Sequence, residues 1–312
     1  MPCFHPITAY HKIGGGITWT HRESNGIKLT VSCKQCTGCR QEYARQWAMR
    51  IKHEADLWLN NIFITLTYDN DNLPEHGKLV KKDFQDFMKR LRKKIDTDQK
   101  KENILTKLNT PTPKVRFFHC GEYGEKFGRP HYHAILFNTN FNDRKPLPGH
   151  NNLSTSATLS KLWGKGGERQ QTIGDVTFQS ASYVAGYVQK KINGKQKEDH
   201  YRRIDKITGE TWVLPQEYAT MSRRPGIAGL WFAKHKKDVY PSDNIHINGK
   251  EMRPPKYYDN LFQEQNPLQM EQIKENRTKA MQKTAHLRTP QALAQAKRNH
   301  QARMSLHKRG KL

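Results

Sequence analysis

The chain has 312 residues, enough to bury a substantial core and to form one large domain or one domain with appendages. Its 54 Lys and Arg residues against 29 Asp and Glu residues give a formal net charge of +25. Such a charge indicates a polyanionic partner, most commonly nucleic acid; a ribosomal-type structural protein and adsorption to a membrane surface are the alternatives. The chain contains no run of 18 apolar residues, and its first residues lack the apolar centre of a signal peptide. We therefore expect a soluble protein without membrane contact that stays in the compartment where it is made.

The first segment, residues 1–39, is rich in cysteine. Cys33, Cys36 and Cys39 form a C-x2-C-x2-C pattern, and Cys3 lies upstream of them. Thiolates at C-x2-C spacing commonly bind zinc, and Cys3 is available as the fourth ligand. The odd total of five cysteines argues against a disulfide framework. A structural zinc site and reduced thiols stay open as alternatives.

Two amphipathic helices are predicted before the histidine-containing region. In the first, from Arg40 to about Leu59, the apolar residues at helical spacing are Trp47, Ile51, Ala55 and Trp58. In the second, they are Phe84, Phe87, Met88, Leu91 and Ile95. Between the helices, residues 62–67 are β-branched and aromatic and predict a buried strand. Arg40 and Arg50 are candidates for phosphate contacts, although a solvated helix face explains them equally well.

A third feature is the pair of histidines in the segment PHYH at 130–133. The flanking residues predict a strand, so His131 and His133 lie on one face and Tyr132 on the other. Two imidazoles on one face form half of a metal site, and Glu122 or Glu125 could supply a third ligand. Glu122 is preferred from its spacing to the histidines. This donor set suits Mn²⁺ or Mg²⁺ as well as zinc, and two ordinary histidines on a polar strand face are the alternative.

A further predicted helix covers YVAGYVQKK at 183–191, after a strand at 172–178 and with Ser180 as the preferred N-cap residue. Tyr183 and Tyr187 are four residues apart, and Lys190 and Lys191 follow one turn later on the same face. A phenol titrates near pH 10 and is a poor nucleophile when neutral, so a nearby cation or metal must favour its oxyanion. A surface helix with solvated lysines is the alternative.

The remaining chain predicts a hairpin, with 201–204 paired to 210–213, and then a segment MSRRPGIAGLWF at 221–232 that has no evident chemical role. Within it, Arg223 and Arg224 are further candidates for phosphate contacts. Residues 241–312 predict a basic C-terminal extension, partly helical or disordered, that folds on nucleic acid or a host partner or only aids solubility. No G-x4-G-K-[ST] phosphate loop is present, so strand separation at an origin would need another protein's ATPase.

The interleaved strands and helices, without a regular βαβ repeat, predict an α+β fold with a central antiparallel sheet flanked by helices. We expect a cysteine-rich segment at 1–39, a main domain at 40–240 and the basic extension at 241–312.

In combination, GEYGEKFGRPHYH and the later YVAGYVQKK resemble the HUH endonuclease superfamily, specifically the replication-initiation proteins of microviruses, which are small single-stranded DNA phages. IFITLTY at 62–68 is similar to the family's strand motif, and the likeness covers roughly residues 1–240. It implies a ferredoxin- or RRM-like core in which His131 and His133 hold a divalent metal. It also implies that Tyr183 and Tyr187 are the paired nucleophiles and that Lys190 is the lysine of the Tyr-x-x-Lys signature.

The resemblance therefore predicts a metal-dependent tyrosine nickase, acting in the host cytoplasm on single-stranded DNA at a replication origin. The expected products are a 5′-phosphotyrosyl link and a free 3′-hydroxyl that primes a host polymerase, with a host helicase opening the duplex and strand rejoining closing a circle. The alternative from another class is a non-catalytic basic nucleic-acid-binding protein. A plasmid-type initiator, a transposase and a phosphoesterase that uses water are alternatives closer in chemistry.

Overall fold

The structure, a computed structural model, describes residues 3–125, 127–187, 197–205 and 207–306. The chain divides into two compact units. One, here called the sheet unit, is Trp47–Lys236; the other, called the cysteine unit, combines Met1–Gln46 with Lys237–Leu312.

The described secondary structure alternates short strands with helices. The strands are β1 (Ile7–Lys12), β2 (Ile17–Thr18), β3 (Ser24–Val31), β4 (Asn61–Thr67), β5 (Arg116–Tyr123), β6 (Pro130–Phe137), β7 (Lys145–Pro146), β8 (Ser154–Thr155), β9 (Thr172–Asp175), β10 (Arg202–Ile204), β11 (Thr211–Val213), β12 (Tyr218–Met221), β13 (Ile245–Ile247) and β14 (Lys250–Met252). The helices are α1 (Thr37–Ala55), α2 (Lys81–Thr106), α3 (Ala157–Trp163), α4 (Phe178–Tyr187), α5 (Lys197–Tyr201), α6 (Gly229–Val239), α7 (Lys256–Gln265), α8 (Pro267–Lys283) and α9 (Pro290–Leu306).

The sheet unit is built on a seven-stranded antiparallel sheet with the spatial order β12-β5-β6-β4-β9-β8-β7. Strand β6 lies between β5 and β4, so it has a hydrogen-bonded neighbour on both sides. The predicted α+β fold with a large antiparallel sheet flanked by helices is confirmed.

Alternation along the strands separates two apolar layers. Ile62, Ile64 and Leu66 of β4 face one side, where they pack in a core with the buried face of α2. That face of α2 consists of Phe84, Phe87, Met88 and Leu91, four of the five apolar residues that predicted the helix. Phe63 faces the other side and packs in a second core with α1 and α4. Because strand side chains alternate, the histidine-bearing face of β6 belongs to this second layer.

The predicted start of the tyrosine helix is wrong by a few residues. Strand β9 ends at Asp175 and α4 begins at Phe178, so Ser180 lies inside the helix. Thr177 serves as the cap, because its Oγ1 accepts from the backbone N–H of Ser180 at 3.0 Å. The Ser180 hydroxyl instead donates to the Asp175 carbonyl at 3.0 Å. The first predicted helix is also displaced, since α1 covers Thr37–Ala55 rather than residues 40–59.

The segment at 221–232 is held by a buried ion pair. Arg116 Nε donates to Glu54 Oε1 at 2.6 Å, and both side chains are almost fully buried. The other carboxylate oxygen of Glu54 accepts from the Ala228 N–H at 2.6 Å, while Arg116 Nη2 donates to the Pro225 carbonyl at 2.8 Å. Satisfied hydrogen bonds compensate the burial of both charges, so this segment has a structural role that its sequence did not reveal.

The cysteine unit contains a small sheet in the order β2-β1-β3, the hairpin β13-β14 and the helices α7, α8 and α9. Its helices bury Phe262, Met270 and Leu293. Arg277 of α8 joins two carboxylates, because its Nε donates to Asp243 at 2.7 Å and its Nη1 to Asp259 at 2.9 Å. Residues 256–306 therefore form packed helices within this unit.

Within the described ranges, no helix combines the length and apolar character needed to span a bilayer. The predicted hairpin is present as β10 and β11, with Arg202 opposite Val213.

Candidate functional site

The two histidines of β6 are oriented by two threonines of the neighbouring strand β4. The antiparallel register places Thr65 opposite His133 and Thr67 opposite His131. Each threonine Oγ1 lies within hydrogen-bonding distance of the facing Nδ1, at 3.0 Å for His133 and 3.1 Å for His131. A hydroxyl that accepts the Nδ1 proton leaves the Nε2 lone pair available to a metal ion and fixes the ring orientation.

Glu122 of β5 lies directly against this pair. Its Oε1 is 3.0 Å from Nε2 of His133, and both side chains are buried. A carboxylate oxygen and an imidazole lone pair repel each other at this distance unless a proton or a cation lies between them. Glu125, the other candidate ligand, is exposed in the loop after β5.

One pair of these donors, His133 and Glu122, has the spacing of two ligands on a divalent ion. Two neighbouring ligands of an octahedral ion, each about 2.1 Å from the metal, lie about 3 Å apart. The contact between His133 and Glu122 has that spacing. Nε2 of His131 lies beside Gly124, where a Cβ atom would be only 2.8 Å from it. A glycine at 124 therefore provides the room in which this imidazole sits.

The tyrosines of α4 pack on the same face of the sheet as the histidines. The Tyr187 ring is stacked on the His133 ring, with centroids 4.7 Å apart and planes at 8°. Tyr183 contacts both rings edge-on, with centroids 5.6 Å from His133 and 4.5 Å from Tyr187. Phe63 of β4 completes this aromatic group, 6.3 Å from Tyr183. Phenols, imidazoles and carboxylate are thus brought together by three strands and one helix.

Burial, followed by the charge of Glu122 and the neighbouring Tyr183, raises the pKa of Tyr187 above its ordinary value. The phenol is therefore neutral at pH 7 in this environment. A positive charge must approach it before its oxyanion becomes accessible.

The other predicted site residues lie elsewhere or are bound to the protein itself. Lys190 and Lys191 lie outside the described residues. Arg50 donates to the Ile227 carbonyl and its guanidinium lies 4.0 Å from the Trp47 ring centroid. Arg223 and Arg224 are exposed just after β12, beyond the Phe117 end of β5, whereas Glu122 is near the opposite end. Arg40 belongs to the cysteine unit.

Sequence reasoning missed Thr65 and Thr67. Their signal is the alternation of T-L-T at the end of a predicted strand, which places both hydroxyls on one face. Only the pairing of β4 with β6 shows that this face is the histidine face.

The four N-terminal cysteines form a second candidate metal site. Their ligand atoms all lie within 4.8 Å of one another, and the group could hold a metal such as zinc. Sγ of Cys3 is 3.5 Å from that of Cys33 and 4.0 Å from that of Cys36, while Cys33 and Cys39 are 4.0 Å apart. Tetrahedral zinc with Zn–S bonds of about 2.3 Å separates its sulfurs by about 3.8 Å, so the cluster has the dimensions of a zinc site.

Backbone donors favour a thiolate within this cluster. Burial acts to raise the pKa of Cys36, but hydrogen bonds from the backbone N–H groups of Cys39 and Phe4 and from the thiols of Cys39 and Cys33 together lower that pKa to about 6. Among the described residues, the four cysteines are the group whose metal-ligating atoms all lie within 4.8 Å of one another. The ligating atoms of His131, His133 and Glu122 are less tightly grouped.

Comparison with known proteins places the chain among phage replication proteins. Residues 61–192 match the family model described as replication-associated protein ORF2/G2P. The chain is 31% identical to replication-associated protein VP4 of Bdellovibrio phage phiMH2K over 86% of its own length and 79% of the relative's. It is 28% identical to replication-associated protein ORF2 of Spiroplasma virus 4, over 91% and 88% of the two chains.

A more distant relative, replication-associated protein ORF4 of Chlamydia phage 1, is 26% identical over 76% of this chain and 54% of the relative. No solved structure matches. The recognition made from the motifs is confirmed: the chain belongs to the family of phage replication-associated proteins, the rolling-circle replication proteins of small phages.

Proposed function

We propose that the chain is a metal-dependent DNA endonuclease and strand transferase of the HUH type, which initiates replication by nicking single-stranded origin DNA. One observation supports the proposal: Tyr187 is stacked on His133, whose Nε2 is 3.0 Å from Glu122, so the proposed nucleophile is in contact with a proposed metal ligand. Membership of a phage replication family supports DNA as the substrate.

The reaction is a transesterification. The phenol oxygen of Tyr183 or Tyr187 attacks the phosphorus of the scissile phosphodiester, the bond from phosphorus to the 3′-oxygen breaks, and the DNA 5′ end becomes linked to tyrosine. The 3′-oxygen takes up a proton and leaves as a hydroxyl that a host polymerase extends. The energy of the phosphodiester is retained in the new bond, so the reverse step rejoins the strand without ATP.

His131, His133 and Glu122 would hold the divalent ion, Mg²⁺ or Mn²⁺. When bound, that ion would offset the negative charge on the non-bridging oxygens and orient the phosphate. Thr65 and Thr67 hold the imidazole rings in place. Lys190 and Lys191 are proposed to stabilise the phenolate.

Two tyrosines on one helix allow two successive transfers. While one holds the old 5′ end, the other cuts the regenerated origin, and the released end closes a circle. The buried environment of Tyr187 and the less buried position of Tyr183 distinguish the two chemically. A host helicase is the proposed partner for strand separation. Arg40, Arg223 and Arg224 remain proposed phosphate contacts.

We also propose a structural Zn²⁺ ion on Cys3, Cys33, Cys36 and Cys39. All four ligand positions would be filled by thiolates, leaving none for substrate, as in structural zinc sites. Cys120 belongs to the sheet unit, where its Sγ is 3.7 Å from the Val184 carbonyl.

The decisive experiment incubates the full chain with end-labelled single-stranded origin DNA and Mn²⁺ or Mg²⁺, followed by a denaturing gel. Label travelling with the protein is the expected result. The double substitution Tyr183→Phe/Tyr187→Phe should abolish the adduct while leaving DNA binding intact, because each phenylalanine retains the ring contacts but lacks the nucleophilic oxygen. An adduct that survives in the double variant excludes these nucleophiles.

A non-catalytic nucleic-acid-binding protein is the second candidate, favoured by the net charge of +25. It shares the expected salt dependence of binding but forms no adduct and requires no metal.

A further inference from the structure

The loop between β5 and β6, which leads into the histidine strand, presents an aromatic side chain to solvent. Phe127 is four residues before His131 and is 84% exposed. An exposed phenylalanine contributes little of the stabilisation that its burial would give the fold. A single exposed apolar residue is common on protein surfaces, so the position of Phe127, rather than its exposure alone, carries the inference.

Backbone hydrogen bonds close the loop at its base. The Gly124 N–H donates to the Arg129 carbonyl at 2.9 Å, and the Gly128 N–H donates to the Gly124 carbonyl at 3.0 Å. Gly124 also packs against the His131 ring. These contacts hold the two ends of the loop together and place Gly124 against the His131 ring.

Arg129 anchors the same loop to the end of β4. Its guanidinium donates to the side chain of Asn70 at 2.8 Å and to the carbonyls of Tyr68 and Asp69 at 3.0 and 3.2 Å. The base of the loop is therefore attached to two strands that flank the histidines. Phe127 therefore lies in a loop whose base is held against the His131 ring and the end of β4.

The nucleobases of single-stranded DNA have exposed π-faces, and aromatic side chains in single-strand-binding proteins stack on them without strong sequence preference. We infer that Phe127 is a base-stacking site that holds a nucleotide next to the scissile phosphate. This inference rests on the proposed function, because it assumes that single-stranded DNA occupies the histidine face. It assigns to the β5–β6 loop the task of fixing the strand while the tyrosines react.

The test measures binding separately from nicking. The full chain carrying Tyr183→Phe/Tyr187→Phe is titrated, at fixed metal and salt, into a fluorescein-labelled oligothymidylate of about 20 nucleotides, and anisotropy gives the affinity. In that background Phe127→Ala is expected to weaken binding by roughly 5- to 150-fold, the range measured for loss of one base–aromatic stack. Phe127→Trp should retain the parental affinity.

Two further comparisons separate stacking from other roles. Phe127→Leu keeps an apolar side chain without a π-face and should bind as weakly as Phe127→Ala. An otherwise identical strand of abasic residues should show no difference between Phe127 and Phe127→Ala. Because phenylalanine carries no charge, the slope of affinity against salt should be unchanged in the alanine variant.

Leu59→Ala is the matched control. Leu59 is a fully exposed apolar residue, and it precedes the opposite end of β4 from Thr67. The Leu59→Ala variant should bind the oligothymidylate with the affinity of the parent chain. Parental binding by Phe127→Ala, or rescue by leucine equal to that by tryptophan, would overturn the stacking site.

The two proposals fail separately. Chains with both tyrosines that form no adduct, while Phe127→Ala still weakens oligothymidylate binding, would remove the nickase and leave the stacking site. A normal adduct together with parental oligothymidylate binding by Phe127→Ala would remove the stacking site and leave the nickase.

Discussion

The cysteine cluster and the histidine site differ in how the chain assembles them. Three of the four cysteines lie within seven residues, and only Cys3 is distant in sequence. The histidine site instead combines β4, β5, β6 and α4, so its geometry depends on strand pairing and helix packing. The cysteines already have the spacing of a closed tetrahedral site, whereas the histidines and Glu122 are grouped more loosely. The first arrangement suits a permanent ion and the second an ion that shares its coordination with a substrate.

The largest expected effect breaks the cysteine cluster. Cys36→Ser removes one of four thiolates, so we expect the bound zinc to fall from one ion per chain to none. Structural zinc contributes about 10–16 kcal/mol of binding free energy in small domains, and its loss should expose the cysteine unit to proteolysis. Metal analysis and limited proteolysis measure this. Cys120→Ser, outside the cluster, should retain one zinc ion; if it loses zinc as Cys36→Ser does, the four-cysteine assignment is wrong.

The next prediction concerns the histidine site. Glu122→Gln replaces the carboxylate that we propose as a metal ligand with a neutral amide of the same shape, so nicking should fall on the order of 10²- to 10³-fold, corresponding to several kcal/mol of lost charge stabilisation. Higher Mn²⁺ concentrations should restore part of the rate. The adduct assay at several metal concentrations measures both.

Glu125→Gln is the control for that substitution, because Glu125 is exposed in the adjoining loop. It should nick at the parental rate. If Glu125→Gln were the damaging change and Glu122→Gln harmless, the third ligand would be reassigned to Glu125.

A steric change sharpens the same comparison. Gly124→Ala places a Cβ 2.8 Å from Nε2 of His131, so the ring must move. Displacement of a reacting group by about 1 Å can cost about 10²-fold in rate, and nicking should fall by that order while the zinc content stays at one. Gly167→Ala is the control, since its added Cβ meets nothing closer than 3.9 Å. Equal rates for the two variants would mean that the position of His131 is not critical.

The smallest predicted effect removes one hydroxyl. Thr65→Val keeps the shape of the side chain but not the hydrogen bond to Nδ1 of His133. Loss of such an outer partner commonly costs about 10- to 100-fold in metal affinity or activity. The Mn²⁺ concentration for half-maximal nicking should rise by that factor, with little change in maximal rate. An unchanged metal requirement would show that the threonine is not needed to orient the ring.

Local patterns predicted much of the fold and of the site. The apolar spacing of α2 and the alternation around His131 and His133 depend on neighbouring residues only. Strand β6 is where the sequence places it, whereas α2 covers its predicted apolar residues but continues to Thr106, into the segment 96–113 that was predicted to be a connection. The common side of the histidines and tyrosines followed from the resemblance rather than from local chemistry.

The non-local contacts could not be predicted from the sequence. The cap of α4 is Thr177 rather than Ser180, because the strand before it ends earlier than its β-branched residues indicate. Arg50 resembled a phosphate ligand but is bound to the Ile227 carbonyl. The pairing of Arg116 with Glu54 joins residues that are 62 positions apart, and no local pattern marks either of them.

The pairing of β4 with β6 makes the site dependent on the hydrophobic core. Thr65 and Thr67 alternate with Ile64 and Leu66, which are buried on the opposite face. A shift of one residue in the register between β4 and β6 would turn the aliphatic side chains toward the imidazoles and the hydroxyls into the hydrophobic core. Both threonine–histidine hydrogen bonds would then be lost. The free energy that prevents this shift comes from the aliphatic residues, so mutations on their side of the sheet can remove the threonine–histidine hydrogen bonds on the other side.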